Sequence, residues 1–188
     1  MIVSHFTCLP EGLQVMVEPA SAKDLEEICR LMDSAFETLA PHGHEISSEA
    51  ESRLVRGLIN DGDVLFSLVA RSDLILGSVF VSRLRLVPDV GLRCAGIAPL
   101  AVLPKFQSSG IGTLLMQAAI RLSRKKKLDA LFLLGDPAYY KRFGFTVSRI
   151  GSEYSSSHFQ ELALTEGCLS QLSCRAEYAA AFSEPPVE

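Results

Sequence analysis

In the middle of the chain, the segment LAVLPKFQSSGIG from Leu100 to Gly112 runs an apolar strand into a glycine-punctuated loop at the head of a helix. Gly110 and Gly112 carry no side chain to keep a ligand away, and the residues from Gln107 to Thr113 can turn successive backbone N–H groups toward one point. The positive end of the following helix dipole adds to that point, so the segment suits a diphosphate. Two common phosphate loops fail on spacing. A nucleotide-hydrolase loop needs lysine and then Ser or Thr after its last glycine, but Ile111 follows Gly110 and Thr113 follows Gly112. A dinucleotide fingerprint needs a third glycine where Leu115 stands.

Gln107, Gly110 and Gly112 fill a different pattern, and here the chain resembles the GNAT superfamily of N-acetyltransferases, whose acetyl-coenzyme A loop reads Gln or Arg, two residues, Gly, one residue, Gly or Ala. A second segment, LGDPAYYKRFGF from Leu134 to Phe145, carries the resemblance further. Asp136 can cap and Pro137 can open a short helix, and Gly144 can stop it. In the superfamily a tyrosine four residues before a Gly-Phe pair lies beside the thioester sulfur, and Tyr140 takes that place. The full run looks like a particular branch of predicted acetyltransferases. The resemblance is strongest from Leu100 to Phe145 and loosest before residue 60.

The elements that must position these segments follow from periodicity. A short strand over Leu13, Val15 and Val17 closes at Pro19; Ser21 and Asp24 form a capping-box signal for a helix burying Leu25, Ile28, Cys29, Met32, Ala35 and Phe36. A second helix is expected from near Ser48, with Glu51 as box partner and Leu54, Val55, Leu58 and Ile59 buried. Strands are expected over Val64 to Arg71 and Leu74 to Arg83, joined by a hairpin at Ser72 and Asp73, and over Arg93 to Leu103. From Gly110 a helical stripe of Ile111, Leu114, Leu115, Ala118, Ala119 and Leu122 leads to a strand at Ala130 to Leu134, a right-handed strand, helix, strand unit. Arg121, Arg124, Lys125, Lys126 and Lys127 gather at the far end of that helix, as a dipole-matched terminus or as a contact with nucleotide phosphates. In the tail a strand is expected over Phe159 to Leu164, broken by Gly167, and a further strand over Ser173 to Tyr178 competes with a helix from Leu169 to Ala181.

The expected fold class is therefore α+β, in an α/β three-layer arrangement, and one domain spanning residues 1–188. The resemblance implies a mixed, twisted sheet flanked by helices and splayed open between its fourth and fifth strands. It also implies that acetyl-coenzyme A, as co-substrate, lies in the wedge. Its pantetheine arm would pair with the backbone of Ala101, Val102 and Leu103. Its diphosphate would rest on Gln107, Ser108, Ser109, Gly110, Ile111, Gly112 and Thr113, and its acetyl group would point toward Tyr140. An extended, amide-bearing ligand can satisfy an unpaired strand edge by strand addition.

The implied reaction is acetyl transfer to a primary amine by direct attack. An alkylammonium with a pKa near ~10 must first lose a proton. A backbone N–H at Ala101 or Val102 could stabilise charge on the carbonyl oxygen. Tyr140, a phenol of basicity similar to the departing thiolate, could return the proton. Many members carry a glutamate on the fourth strand, whereas Arg93 to Leu103 contains no carboxylate. His42, His44 and Glu45, in the connection between the first two helices, are the substrate-side candidates. Without a base the same fold could serve as a non-catalytic acyl-coenzyme A sensor. Cys94, in an apolar strand, is expected to be inert packing.

Composition bounds the rest. Apolar residues make up 48% and charged residues 21%, enough for a sizeable core. A net charge of -4 gives no reason for a nucleic-acid partner, and no apolar run reaches a membrane-spanning length. The five cysteines form neither a CxxC pair nor a zinc pattern, so no metal is expected and the thiols fit a reducing, cytoplasmic setting. The partner is a small-molecule or peptide amine, and the assembly a monomer or homodimer.

Overall fold

Apolar alternation and turn chemistry combine, in a computed structural model describing residues 5–8, 13–37, 50–154 and 157–183, into a ten-stranded sheet with helices on both faces. The strands are β1 (His5–Cys8), β2 (Gln14–Pro19), β3 (Val64–Arg71), β4 (Ile75–Val87), β5 (Cys94–Val102), β6 (Ala130–Leu134), β7 (Thr146–Val147), β8 (Gly151–Ser152), β9 (Phe159–Ala163) and β10 (Arg175–Tyr178). The helices are α1 (Leu25–Glu37), α2 (Ala50–Asn60), α3 (Ile111–Lys125) and α4 (Pro137–Tyr140). The main path through the sheet is β1-β2-β3-β4-β5-β6-β9-β7, with β10 on β4 and β8 on β10. Among the described residues no helix is long and apolar enough to cross a membrane.

The two faces hold separate cores. Ile111, Leu115, Met116 and Ala119 of α3 pack with Val79, Val81, Ala95 and Ile97 on one face. Ile28, Leu31, Met32 and Ala35 of α1 pack with Val55 of α2 and with Phe80 and Ala101 on the other. Each fully buried aliphatic side chain contributes about 1.5–3 kcal/mol relative to exposure. The Ser21 backbone N–H donates to Asp24 Oδ2 at 2.7 Å, so the expected box forms, although it opens a short 3-10 turn at Ala22–Asp24 before α1 begins. Ile59, expected inside, is 41% exposed because α2 turns Val55 and Leu58 inward. The start proposed for α2 at Ser48 lies outside the described residues.

The sheet opens where β5 leaves β6. These strands run parallel and pair only from Cys94 with Ala130 to Gly96 with Phe132. Beyond Gly96, β5 continues to pair with β4 alone, while Leu133 and Leu134 of β6 pair with β9. Among the described residues, one edge of β5 is thus bare of strand partners from Ile97 to Val102. In the tail the strand alternative holds: β9 and β10 form, and a 3-10 turn at Ala180–Phe182 replaces the competing helix. β4 runs four residues further than the periodicity suggested because Leu84 to Val87 pair with β10.

Tyr178 of β10 lies across the last closed row of the wedge. A Cβ added to Gly96 would meet its ring carbon Cε1 at 2.5 Å. We expect Gly96→Ala to destabilise the protein by about 1–3 kcal/mol, because the ring, packed against Tyr154, Phe159 and Phe182, cannot give way cheaply. Urea unfolding measures it, and an unchanged midpoint would contradict this packing.

Candidate active site

Strand parity decides which part of β5 faces the opening. Leu103 donates its N–H to the Leu76 carbonyl at 2.9 Å, and in this register Ala101 lies opposite Ser78 and Val102 opposite Gly77. Antiparallel pairs alternate between exchanging both hydrogen bonds and exchanging none, so Ala101 and Leu103 spend their backbone groups on β4. Val102 and Leu100 point theirs into the wedge. The expected pairing of a ligand with Ala101, Val102 and Leu103 is therefore corrected: the parity leaves Val102 and adds Leu100, and it removes Ala101 as a possible oxyanion donor.

The loop after β5 is shaped by its own hydrogen bonds. The Gln107 backbone N–H donates to the Pro104 carbonyl at 3.2 Å, so it is withdrawn from the expected series of donors. Its side-chain Nε2 instead donates to the Val102 carbonyl at 3.2 Å and ties the loop to the strand end. Ser109 Oγ closes back on the Phe106 carbonyl. Ser108 and Gly110 take positive φ values of 61° and 95°, which turn the chain sharply into α3. Ile111, Gly112 and Thr113 then present first-turn N–H groups that have no intrahelical acceptor.

The LGDPAYYKRFGF segment folds as its residue types suggest. Asp136 Oδ1 accepts the Ala138 N–H at 2.9 Å, Pro137 opens α4, and Gly144 stops the following turn at φ 91°. Gly135 has a role that spacing did not reveal. A Cβ there would fall 2.3 Å from Tyr140 Cε2, so the Tyr140 ring lies directly over the Gly135 backbone. Gln160, buried at the neighbouring strand, donates from Nε2 to the Gly135 carbonyl at 2.8 Å and holds that turn. The rings of Tyr139, Phe145 and Phe143 surround Tyr140 at 4.9, 6.1 and 6.5 Å between centres.

These pieces meet in one cleft of about 720 Å³, lined by Leu100, Val102, Phe106, Gln107, Ser108, Gly110, Gly112, Thr113, Gly135, Asp136, Tyr139, Tyr140 and Arg142. The loop, the strand edge and Tyr140 are thus brought together. Leu100, Gly135, Tyr139 and Arg142 were not singled out in the sequence, because neither strand parity nor ring packing is visible in spacing. His42, His44 and Glu45 lie outside the described residues. The basic cluster, Arg121 to Lys127, lies about 15 to 24 Å along the chain direction of α3 from the loop at 1.5 Å per residue, and so matches the helix dipole rather than the phosphate cradle.

Burial controls the chemistry of the cleft. Desolvation, with a smaller contribution from Tyr139, pushes the Tyr140 hydroxyl up to about 12, so it stays protonated throughout the working range. Burial also raises Tyr139, against the opposing hydrogen bond with Thr113 and the nearby Arg142 charge. Cys94, raised to about 12 by burial, remains an inert thiol. Glu51, at the edge of the undescribed connection, is raised by burial alone. Among the described residues no group of three His, Cys, Asp or Glu side chains could hold a metal ion.

Comparison with known proteins places this architecture. A model described as the acetyltransferase (GNAT) family matches residues 25–145. The uncharacterized N-acetyltransferase YhbS of Escherichia coli K12 is 33% identical over 138 residues, covering 70% of this chain and 82% of the relative. YjhQ of the same strain, also an uncharacterized N-acetyltransferase, is 30% identical over 149 residues, covering 77% and 72%. The crystal structure of E. coli YhbS in complex with CoA superposes with a TM-score of 0.81 at 27% identity, over 92% of this chain and 93% of that one. A GNAT family acetyltransferase from Brucella melitensis in complex with acetyl-CoA gives a TM-score of 0.74 at 28% identity, over 90% and 99%.

The fit of Tyr140 over Gly135 predicts a spectroscopic outcome. In Gly135→Ala the ring must move off the backbone, and its hydroxyl should ionise nearer the ordinary tyrosine value of about 10. Ultraviolet titration of phenolate formation follows this directly; an unaltered titration curve would contradict the packing.

Proposed function

The chain belongs to the GNAT family of acetyltransferases, and from that membership we propose that it moves an acetyl group from acetyl-coenzyme A to a primary amine by direct attack, with Tyr140 as the acid serving the leaving thiolate. One observation carries this reading: the bare edge of β5, the donor loop and Tyr140 line a single cleft. The residues present fit the coenzyme. Leu100 and Val102 offer backbone groups that no strand among the described residues satisfies, and an extended diamide can pair with them. The loop amides from Ser108 to Thr113, placed at the positive end of α3, suit a diphosphate. The solved relatives that carry CoA and acetyl-CoA support the same assignment.

When bound, acetyl-coenzyme A supplies a thioester with an electrophilic carbonyl carbon. The chain's own residues do the rest. With the Val102 N–H paired to the diamide and its carbonyl taken by Gln107 Nε2, the Leu100 N–H, also turned into the wedge, is the backbone donor for the carbonyl oxygen as negative charge grows there. Tyr140 holds its proton at the phenolic oxygen and donates it toward the sulfur. Burial raises Tyr140 to about 12, and a thiolate lodged beside the same rings would be raised in the same direction, which keeps the transfer open to it. The rings around Tyr140 exclude water that would compete for that hydrogen bond. On the acceptor side, β5 supplies no carboxylate, and the amine's proton leaves through water or through His42, His44 or Glu45.

That missing carboxylate favours a second reading, a module that binds acyl-coenzyme A without turnover. The two part on one experiment, thiol release from acetyl-coenzyme A measured against a panel of small and peptidyl amines. Release with any acceptor supports the enzyme; tight binding with no release on every acceptor supports the sensor.

Two variants test the assigned roles. Tyr140→Phe should lower kcat about 100-fold while the Kd for coenzyme A stays within about twofold, as expected for loss of an acid that acts only in the chemical step. Unchanged turnover would remove its acid role. Gly110→Val forces a β-branched residue into positive φ and should weaken coenzyme A binding by about tenfold or more; an unchanged Kd by calorimetry would overturn the loop assignment.

A further inference from the structure

Arg142 follows α4 and lines the same cleft as the donor loop. It is held at two points. Its Nε donates to the Tyr139 carbonyl oxygen at 2.9 Å, and its guanidinium carbon lies 4.6 Å from the centre of the Tyr139 ring. Tyr139 is in turn fixed to the first turn of α3. Its hydroxyl hydrogen-bonds with Thr113 and fills the space that a Cβ on Gly112 would need, 2.8 Å away. The chain of contacts from Thr113 through Tyr139 to Arg142 therefore fastens a guanidinium to the cleft that contains the N-terminus of α3.

A helix N-terminus carries partial positive charge, and a permanent cation brought near it is repelled. Among the described residues no carboxylate forms an ion pair with Arg142. Asp136 lines the same cleft, but its Oδ1 is committed to the Ala138 N–H. A guanidinium oriented by Tyr139 in the cleft that holds the α3 N-terminus, with its terminal nitrogens left without a counter-ion, fits an anionic ligand that would neutralise both the arginine and the helix end.

We propose that Arg142 is a second arm of the coenzyme's phosphate site, its terminal guanidinium nitrogens binding phosphate oxygens opposite the loop amides, with Tyr139 as the positioning residue. The inference rests on the coenzyme A assignment made above. It goes beyond it by naming a side chain that recognises charge in a site otherwise built of backbone. Planar, two-pronged recognition of phosphate is the task that distinguishes Arg from Lys.

The test is a binding series that needs no turnover. Coenzyme A, 3′-dephospho-coenzyme A and S-acetylpantetheine, which has no phosphate, are titrated by calorimetry or NMR against the wild-type protein, Arg142→Ala and Arg142→Lys. Thermal midpoints confirm that each variant is folded. Loss of a charged hydrogen-bonding partner should raise the Kd for coenzyme A about 10- to 100-fold in Arg142→Ala. Arg142→Lys, which keeps the charge but not the fork, should fall between it and wild type. S-acetylpantetheine should bind wild type and Arg142→Ala alike. A penalty that persists with 3′-dephospho-coenzyme A assigns Arg142 to the diphosphate; one that disappears assigns it to the 3′-phosphate, and either result supports the proposal. An unchanged Kd for coenzyme A in Arg142→Ala would overturn it, as would an equal loss toward S-acetylpantetheine, which would mean altered cleft shape rather than lost charge. Failure of the wild type to bind coenzyme A would instead refute the coenzyme assignment itself.

Discussion

The molecule is organised around a sheet that is prevented from closing. Past Gly96, β5 and β6 stop pairing, and each finds a different neighbour: β4 keeps one edge of β5, and β9 takes β6. The other edge of β5 keeps backbone donors and acceptors that an ordinary sheet would satisfy. Leaving a buried backbone group without a partner costs about 1–3 kcal/mol, so an open edge persists only where solvent or a ligand completes it. The bulk of the core supports this opening. α3 and α1 clamp β4 and β5 from opposite faces, which holds the bare edge in place without help from β6.

The walls of the cleft depend on glycine for space as much as for turning. Gly135 allows the Tyr140 ring to lie on the backbone, and Gly112 admits the Tyr139 hydroxyl. Through these two approaches α4 is drawn over the strand edge on one side and onto the first turn of α3 on the other. The bare strand edge, the Tyr140 ring and the opening turn of α3 therefore belong to elements that line one cleft. The aromatic cluster that positions Tyr140 also sets its acidity, because the same rings remove the water that would favour the phenolate.

Much of this was legible before any coordinates, for identifiable reasons. β3 and β6 fall at the expected residues because both are apolar runs bounded by turn chemistry. Asp136, Pro137 and Gly144 act as cap, opener and stop because each type has a strong local preference. What stayed hidden depends on register or on packing across elements. Which of Ala101 and Val102 faces the wedge is a matter of strand parity, set by the hydrogen bond between Leu103 and Leu76. Gln107 fits the loop pattern, yet its amide is spent locally and its side chain serves the strand end. Nothing in the sequence marks Arg142, since its place in the cleft arises from its contacts with Tyr139, which itself packs on a helix distant along the chain. β1 and β8 are too short to announce themselves by alternation.

The claim on which everything else rests is that the bare edge of β5 and the opening turn of α3 together receive coenzyme A. Residue-resolved amide hydrogen exchange with and without the coenzyme tests it directly. Binding should slow exchange at Leu100, Val102 and the amides from Ile111 to Thr113, while Ala101 and Leu103, already bonded to β4, change little. Saturation with coenzyme A that leaves Val102 and the α3 amides exchanging as before, or that protects Ala101 in their place, would contradict the account.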